Sequence, residues 1–581
     1  MRKLVIVLLA VAVLGSLAPA AWAQAPAPKV TITGLFDQIT SMSRNLLDGN
    51  YSRDGDKEWY ARTRFRPDFE FAVGRTKAVL GLEIDLTYGQ SGPCAAGPGK
   101  GVSNQAGQGA VNGATATPCI NEKSGATASA GINSDVTGVI EIKWAYTEFD
   151  LTGKDSLMPF IPVGTVARAG IQPFANLGNY KVVYANGDFA GLSMVTTFAP
   201  NLKTNLTFVQ VDEQVGPVNT AASGDRGTNN AATTQKLTRG DDYAVIFSVD
   251  WTVMKGLDIK PMYSFFFGQG VTAGSSRRSP VNIGTYTGNT LLSQGVGTLN
   301  SAAALGSGNA SGDTAYHENR HTMGIDARWR YGAFSLDPTI LYQWGSFDSM
   351  GQDNKHALPS KLNGDINAWL LDIQAGYQLG PLLLEGRYIY STGNKARDNL
   401  AVGKRYFEPL DMDTSYYAGW ANILALGVDY FNGGGANNGG MDTGIGYDRY
   451  GRNQFGLRAT YNLTPALAFY TVVSPTWTAE QVDTKTGTNG TSRTFVSDQS
   501  FTKGNSSYIG TEVDLGMTWR FAPNAAFDLV GAILFAGDAL NTTECTGDGQ
   551  GAVPVNCPVA NTQLRKANDA YTAAARIRLS F

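Results

Sequence analysis

Apolar and polar residues alternate with a period of two along most of the chain. Between 59 and 72 one row holds Ala61, Thr63, Phe65, Phe69 and Phe71, and the other holds Arg62, Arg64, Arg66, Asp68 and Glu70. Successive side chains of a strand point to opposite faces, so this pattern predicts a strand with one apolar and one polar face. A turn at Gly74-Arg75 leads into Ala78, Leu80, Leu82, Ile84, Leu86 and Tyr88, opposite Lys77, Glu83 and Asp85. The same form recurs at 243–253, 323–331, 369–379, 455–463 and 513–521, with tight turns at Lys255-Gly256, Gly332, Gly380-Pro381, Thr464-Pro465 and Pro523-Asn524. These turns alternate with long loops at 89–136, 213–240, 268–319, 347–364, 392–451, 478–508 and 538–567, all rich in Gly, Asn, Ser, Thr and Asp.

Short turns on one side and long loops on the other mark a membrane barrel, whose lipid face occupies alternate residues. The fold class is therefore all-β, a transmembrane antiparallel β-barrel. Strands are predicted near 29–40, 58–72, 77–89, 137–152, 163–172, 180–198, 203–213, 241–254, 257–268, 320–331, 334–346, 365–379, 382–392, 451–463, 467–478, 508–521, 526–538 and 568–581. The count is eighteen, with sixteen as the alternative, because 172–190 is the weakest stretch. The apolar run 423–431 is placed inside the loop 392–451, since a wall strand there would move the Thr464-Pro465 turn to the wrong side.

The first 23 residues read differently. Arg2 and Lys3 precede an apolar run from Leu4 to Leu14, and Ala21-Trp22-Ala23 forms a small-x-small cleavage site. This is a secretory signal, too short to span a bilayer. The remainder, 24–581, is a single barrel domain. Its apolar runs fall short of the ~20 residues of a membrane helix. The whole chain of 581 residues has 46 Lys+Arg against 49 Asp+Glu, a net charge of −3. That balance excludes nucleic acid as a partner, because its binders carry a basic excess. Gly numbers 69, and only 16% of residues are charged.

The most specific segment is the last. Tyr571, Ala573, Ala575, Ile577, Leu579 and Phe581 alternate to a terminal Phe. It resembles the C-terminal strand by which bacterial outer-membrane barrels are recognised for assembly. The segment Lys29-Val30-Thr31-Ile32-Thr33-Gly34-Leu35-Phe36-Asp37 looks like the first strand of general bacterial porins. The resemblance implies a channel of the Gram-negative outer membrane, a loop folded inward to narrow it, and a homotrimer. The partners it implies are outer-membrane lipid and lipopolysaccharide, small solutes, and the assembly machinery acting through the strand that ends in Phe581. It implies no enzymatic activity, and no cofactor is expected.

The polar row of a barrel strand faces the lumen. Closure sets the last strand beside the first, so Arg576 and Arg578 join Arg62, Arg64 and Arg66 in a basic arc. The turn after Val73 sets Arg66 opposite Glu83 and Arg64 opposite Asp85, as cross-strand pairs. Arg328 and Arg330 are further lumen candidates. Rings of Arg favour anion passage, so the expected function is passive diffusion of small hydrophilic solutes or ions with anion preference. The alternatives are a substrate-specific channel using loop 392–451, a sheath around a multihaem cytochrome, and a structural or adhesive barrel. Loops 89–136 and 392–451 are the candidates for folding inward.

Two further motifs bear on chemistry. Cys94 and Cys119 share one loop and Cys545 and Cys557 another. Three connectivities exist, and proximity favours one disulfide within each loop. His317-Glu318-Asn319-Arg320-His321 spells a zinc-protease motif. It leads into an alternating strand, where positions four apart lie about 13 Å from each other, too far to share a metal. No metal site is expected.

Overall fold

The computed structural model describes residues 27–45, 57–88, 139–178, 180–181, 183–185, 187–217, 237–269, 317–353, 356–395, 398, 403–410, 420–424, 450–482, 505–545 and 562–581. The first half of the chain forms β1 (Lys29–Arg44), β2 (Lys57–Val73), β3 (Thr76–Tyr88), β4 (Val139–Thr152), β5 (Gly164–Pro173), β6 (Asp188–Ala199), β7 (Leu202–Pro217), β8 (Leu237–Met254), β9 (Leu257–Gln269) and β10 (His317–Tyr331). The second half forms β11 (Phe334–Asp353), β12 (His356–Leu379), β13 (Leu382–Ser391), β14 (Gly403–Lys404), β15 (Arg452–Thr464), β16 (Leu467–Val482), β17 (Ser506–Ala522), β18 (Ala525–Ala536), β19 (Thr542–Cys545), β20 (Thr562–Arg565) and β21 (Ala570–Ser580).

Eighteen of these strands pair antiparallel with their neighbours, and β1 pairs with both β2 and β21, so the sheet closes. Closure leaves no edge in the lipid, where an unpaired backbone group has no water to bond. The three short strands lie off this wall. β14 runs parallel against β12, and β19 pairs with β20.

Side chains sort as the alternation predicts. On β2 the arginines Arg62 and Arg64 are buried toward the interior, while Trp59, Phe71 and Val73 are exposed on the outside. The outer face carries two aromatic belts. One holds Tyr263, His321, Tyr342, Trp344 and Trp369, and the other Trp329, Tyr331 and Phe334. Trp344 and Phe334 on β11 are ten residues apart, about 33 Å along a strand. Tilted by about 40°, that distance spans the ~25 Å apolar band of a membrane barrel. The zinc-motif histidine His321 sits in the first belt, hydrogen-bonded to Tyr263 at 2.8 Å and stacked on Trp344. Glu318 faces the interior instead, so the motif does not converge.

On the side carrying the termini, seven of the eight connections are two residues long, and the eighth is 153–163. Gly74 and Asn524 occupy two of these turns with φ of 60° and 63°. Glycine adopts that region without a Cβ penalty, and asparagine tolerates it through its short polar side chain.

Three expectations change. The sixth strand begins at Asp188 rather than 180, because 174–187 leaves the wall. The expected loop 347–364 is almost entirely strand, since β11 and β12 continue to Asp353 and His356. β7 and β8 likewise extend to Pro217 and Leu237. Beyond the bilayer a strand has water on both faces, so alternation fades while backbone pairing continues. Ile423 and Leu424 are buried inside the barrel, off the wall, and 425–431 lie outside the described residues.

Candidate functional site

The closure seam assembles the basic arc. In register, Arg578 and Arg64 flank Asp37, and Arg576 and Arg62 flank Ile39. Asp37 is fully buried among them, with Arg578 Nε 3.7 Å from its carboxylate. Glu83 on β3 binds Arg64 at 3.0 Å, Arg66 at 3.1 Å and Lys143 at 3.4 Å. On the other flank Asp528 accepts from Arg576 at 2.8 Å and Arg578 at 3.2 Å. Five guanidiniums therefore share three carboxylates in one band. A buried charge survives only when paired, which is why acids interleave with the arginines. The five arginines outnumber these three carboxylates, while Asp188 binds Lys143 at 3.2 Å and Asp68 lies near Arg66.

The arc is graded in access. The side chain of Arg64 is 5% exposed, but those of Arg66 and Arg578 reach 22% and 37%. Backbone register places Asp85 opposite Arg64, as the turn arithmetic required. The acidic partner that binds the arginines is Glu83. Asp37 and Asp528 belong to the site as well, and sequence reasoning passed over both. Asp37 is the lone acid of the inward row of β1, between strands that carry arginines, and that was the available signal.

Arg328 and Arg330 lie on the inward row of β10, on the opposite wall, so they do not join the arc. Arg330 pairs with Asp337 at the terminal end. Arg328 stands 4.3 Å from the centre of the Tyr180 ring, and Lys260 lies 5.2 Å from it.

Tyr180 belongs to the segment 174–187, whose described residues (174–178, 180–181, 183–185 and 187) fold into the lumen. Phe174, Leu177, Val183, Tyr184 and Ala185 are all buried. They pack on inward apolar residues of β6–β9, β11 and β12, among them Ile246, Met262, Phe266, Leu341 and Leu370. Polar ties fix the seat. Asp326 accepts from the backbone N–H of Tyr180 at 2.5 Å and of Lys181 at 3.3 Å. Ser248 donates to the Leu177 carbonyl at 2.6 Å, and Tyr184 Oη bonds Ser264 at 2.8 Å. Lys181 Nζ lies 3.2 Å from Asp372, which also binds Arg387. Burial lowers the Lys181 amine below the usual lysine range, against the opposing pull of Asp372. Burial raises the Tyr180 phenol, with Asp250 and Asp258 adding to the shift.

The loop 392–451 also sends segments inward, as one of the two candidate loops. Phe407 and Leu410 join the apolar cluster around Tyr184, and the Leu410 N–H donates to the Tyr184 carbonyl at 2.8 Å. Lys404 and Glu408 complete a closed quartet with the wall residues Glu318 and Arg320, at separations of 2.7–3.3 Å. Further along, Ile423 and Leu424 donate backbone N–H groups to Glu512 at 2.6 and 2.8 Å. They pack with Ile509, Leu534 and Leu540 in a second interior cluster. Neither apolar cluster includes a residue of β1–β5. The other candidate loop, 89–136, lies outside the described residues. So do Cys94, Cys119 and Cys557, and with them the expected disulfides.

Sequence reasoning missed 174–187. The signal was present in the inward rows of β8, β9, β11 and β12, which hold Ala244, Ile246, Met262, Phe266, Leu341 and Leu370 where a water-lined wall would be polar. Strands apolar on both faces have both faces covered.

Comparison with solved structures finds OccK5 (OpdH) of Pseudomonas aeruginosa, 10% identical with a TM-score of 0.40, over 95% of this chain and 98% of that one. OprD of Pseudomonas aeruginosa is 9% identical with a TM-score of 0.42, over 96% and 97%. OccAB3 of Acinetobacter baumannii is 8% identical with a TM-score of 0.42, over 95% and 99%. No family model and no curated protein matches the chain. The assignment of the fold rests on the closure of the sheet itself.

Proposed function

We propose that this protein is a passive channel of the bacterial outer membrane for small hydrophilic solutes, with a preference for anions. The observation that carries the reading is the seam arc. It places Arg66 and Arg578 in reach of the lumen, beside strands β1–β5, which contribute no residue to either interior apolar cluster. The solute path in this reading follows β1–β5, while 174–187 and the inward parts of 392–451 narrow the barrel from the other walls. Export through the 1–23 signal, assembly through the strand ending at Phe581, lipopolysaccharide as a neighbour and a homotrimeric state belong to the same proposal.

Planar-bilayer conductance with reversal potential in a salt gradient tests it. Open, anion-preferring channels are expected. Replacing Arg66 and Arg578 together by Gln is expected to shift the reversal potential toward cations, because a ring of Arg favours anions. Unchanged selectivity would remove the arc from the site, and absence of conductance would overturn the channel reading.

A second reading is a substrate-specific channel. The observation favouring it is that the inward segments carry aromatic rings against cations. Tyr180 lies over Arg328, and Trp420 lies 4.5 Å from Arg458. Saturable flux, or block of single-channel current by one solute, would select this reading over free diffusion.

A further inference from the structure

The outer surface of a membrane barrel is normally a continuous relief of large apolar side chains. Across the closure seam this relief is interrupted. At one height the outward residues on adjacent strands are Leu515, Gly531, Ala573, Met42 and Trp59, each in register with the next. Two side chains of minimal size thus stand between two large walls. Leu515 and Met42 rise three strand spacings apart, about 14 Å between backbones. One row nearer the termini, Ala575 continues the floor opposite Thr40. One row toward the loop side, Ile533, Tyr571 and Arg44 stand in register.

The result is a trough of about 810 Å³ lined by Met42, Trp59, Leu515, Gly531, Ala573 and Tyr571, with Arg44 at its rim. Its far wall is held in place, since Trp59 Nε1 donates to Thr40 at 2.8 Å and so leans along the floor. Trp59 is 69% and Leu515 65% exposed, so no part of the described chain covers them.

We infer that this trough seats an acyl chain of a phosphate-bearing lipid of the outer leaflet, with the phosphate on Arg44. The inference rests on the outer-membrane reading above. In that orientation the loop side faces outward, and Arg44 and Tyr571 lie at the headgroup level, where aromatics anchor and cations meet phosphate. A hydrocarbon chain is a single file of methylenes and fits a recess two strands wide. A second barrel would have to offer a ridge of large residues of matching pitch. Apolar contact in the trough and charge at its rim together select an anionic lipid over a neutral one.

The test is lipid retention. Wild-type protein is reconstituted in vesicles of neutral phospholipid containing hexa-acylated, bis-phosphorylated lipid A, extracted into mild detergent and weighed by native mass spectrometry. Retention of lipid A on each chain is expected, above that of the neutral phospholipid. Gly531→Leu fills the floor, and a Cβ at Gly531 meets nothing closer than the Thr572 carbonyl at 3.9 Å, so the barrel tolerates it. Excluding two or more methylenes is expected to cut retention about tenfold. Arg44→Gln is expected to lower retention of lipid A while leaving retention of its dephosphorylated form unchanged. Ala573→Leu provides the same block from the neighbouring strand. Equal retention by wild type and both filled variants overturns the inference. So does a wild-type oligomer that Gly531→Leu reduces to monomers at unchanged lipid count, which would assign the trough to a second copy. Conductance is read on the same preparations, so failure of the channel reading and failure of the lipid site are separately visible.

Discussion

Gly34 and Phe581 show how much one residue decides. Gly34 exchanges two backbone hydrogen bonds with Phe581, at 2.9 and 3.0 Å, where the last residue meets the first strand. A Cβ on Gly34 would lie 2.5 Å from the Phe581 ring and 2.8 Å from the Arg66 carbonyl. The ring in turn stacks on Phe65. Gly34→Val is therefore expected to destabilise closure by about 1–3 kcal/mol, the usual cost of overpacking. A lower temperature for loss of the folded band in heat-modifiable electrophoresis would register it, and an unchanged temperature would refute the tight fit. Lys181 makes a second residue-scale prediction. Burial favours its neutral amine, so it loses its charge at lower pH than an exposed lysine. As pH rises through that lowered value, the lumen loses one positive charge and anion preference falls. Lys181→Met is expected to abolish that alkaline step in the reversal potential and leave the arginine contribution intact.

At the scale of the element, the inward segments matter more than the wall they lean on. The wall strands sort themselves by alternation, but 174–187 and 403–410 are held by contacts to strands distant in the chain. The quartet of Glu318, Arg320, Lys404 and Glu408 is the strongest such tie, because all four side chains are at most 2% exposed. Removing one partner of a buried ion pair typically costs about 3–5 kcal/mol, since the other charge is left unmatched. Glu408→Gln is therefore expected to unseat 403–410 from β10 without opening the wall. The readout is single-channel conductance, expected to rise as the segment vacates the lumen. Gln343 would still hold the Glu408 backbone at 2.6 and 2.9 Å, so partial retention of the small state is part of the expectation.

At the scale of the molecule, the eighteen-stranded closure divides the interior into two kinds of wall. Strands β6–β9, β11, β12, β17, β18 and β21 carry residues of the apolar clusters that seat infolded chain. Strands β1–β4 carry Asp37, Arg62, Arg64, Arg66, Glu83 and Lys143 instead. This contrast gives the channel reading its asymmetry, and β18 and β21 carry both, with Asp528, Arg576 and Arg578 toward the termini and Leu534 and Ala570 toward the loops. The same closure creates the lipid-facing trough, because strands from the two ends of the chain meet there.

Local alternation by itself determined the wall. A barrel strand has one face in lipid and one in the lumen, so each residue's partner phase is encoded two residues away. The turns on the terminal side and the eighteen-strand count follow from that period, whereas the start of β6 and the loop-side ends of β7, β8, β11 and β12 do not. The Arg64–Asp85 register follows from turn length, and the meeting of Arg578 with Asp37 follows from the need to close. Only tertiary structure decided what fills the lumen. The seat of 174–187 depends on Ser248, Ser264, Asp326 and Asp372, which are 71 to 191 residues away from their partners in the chain. No local period records a contact of that range. Glu83 serving two arginines, and Tyr180 lying between Arg328 and Lys260, are likewise outcomes of side-chain packing in a shared interior.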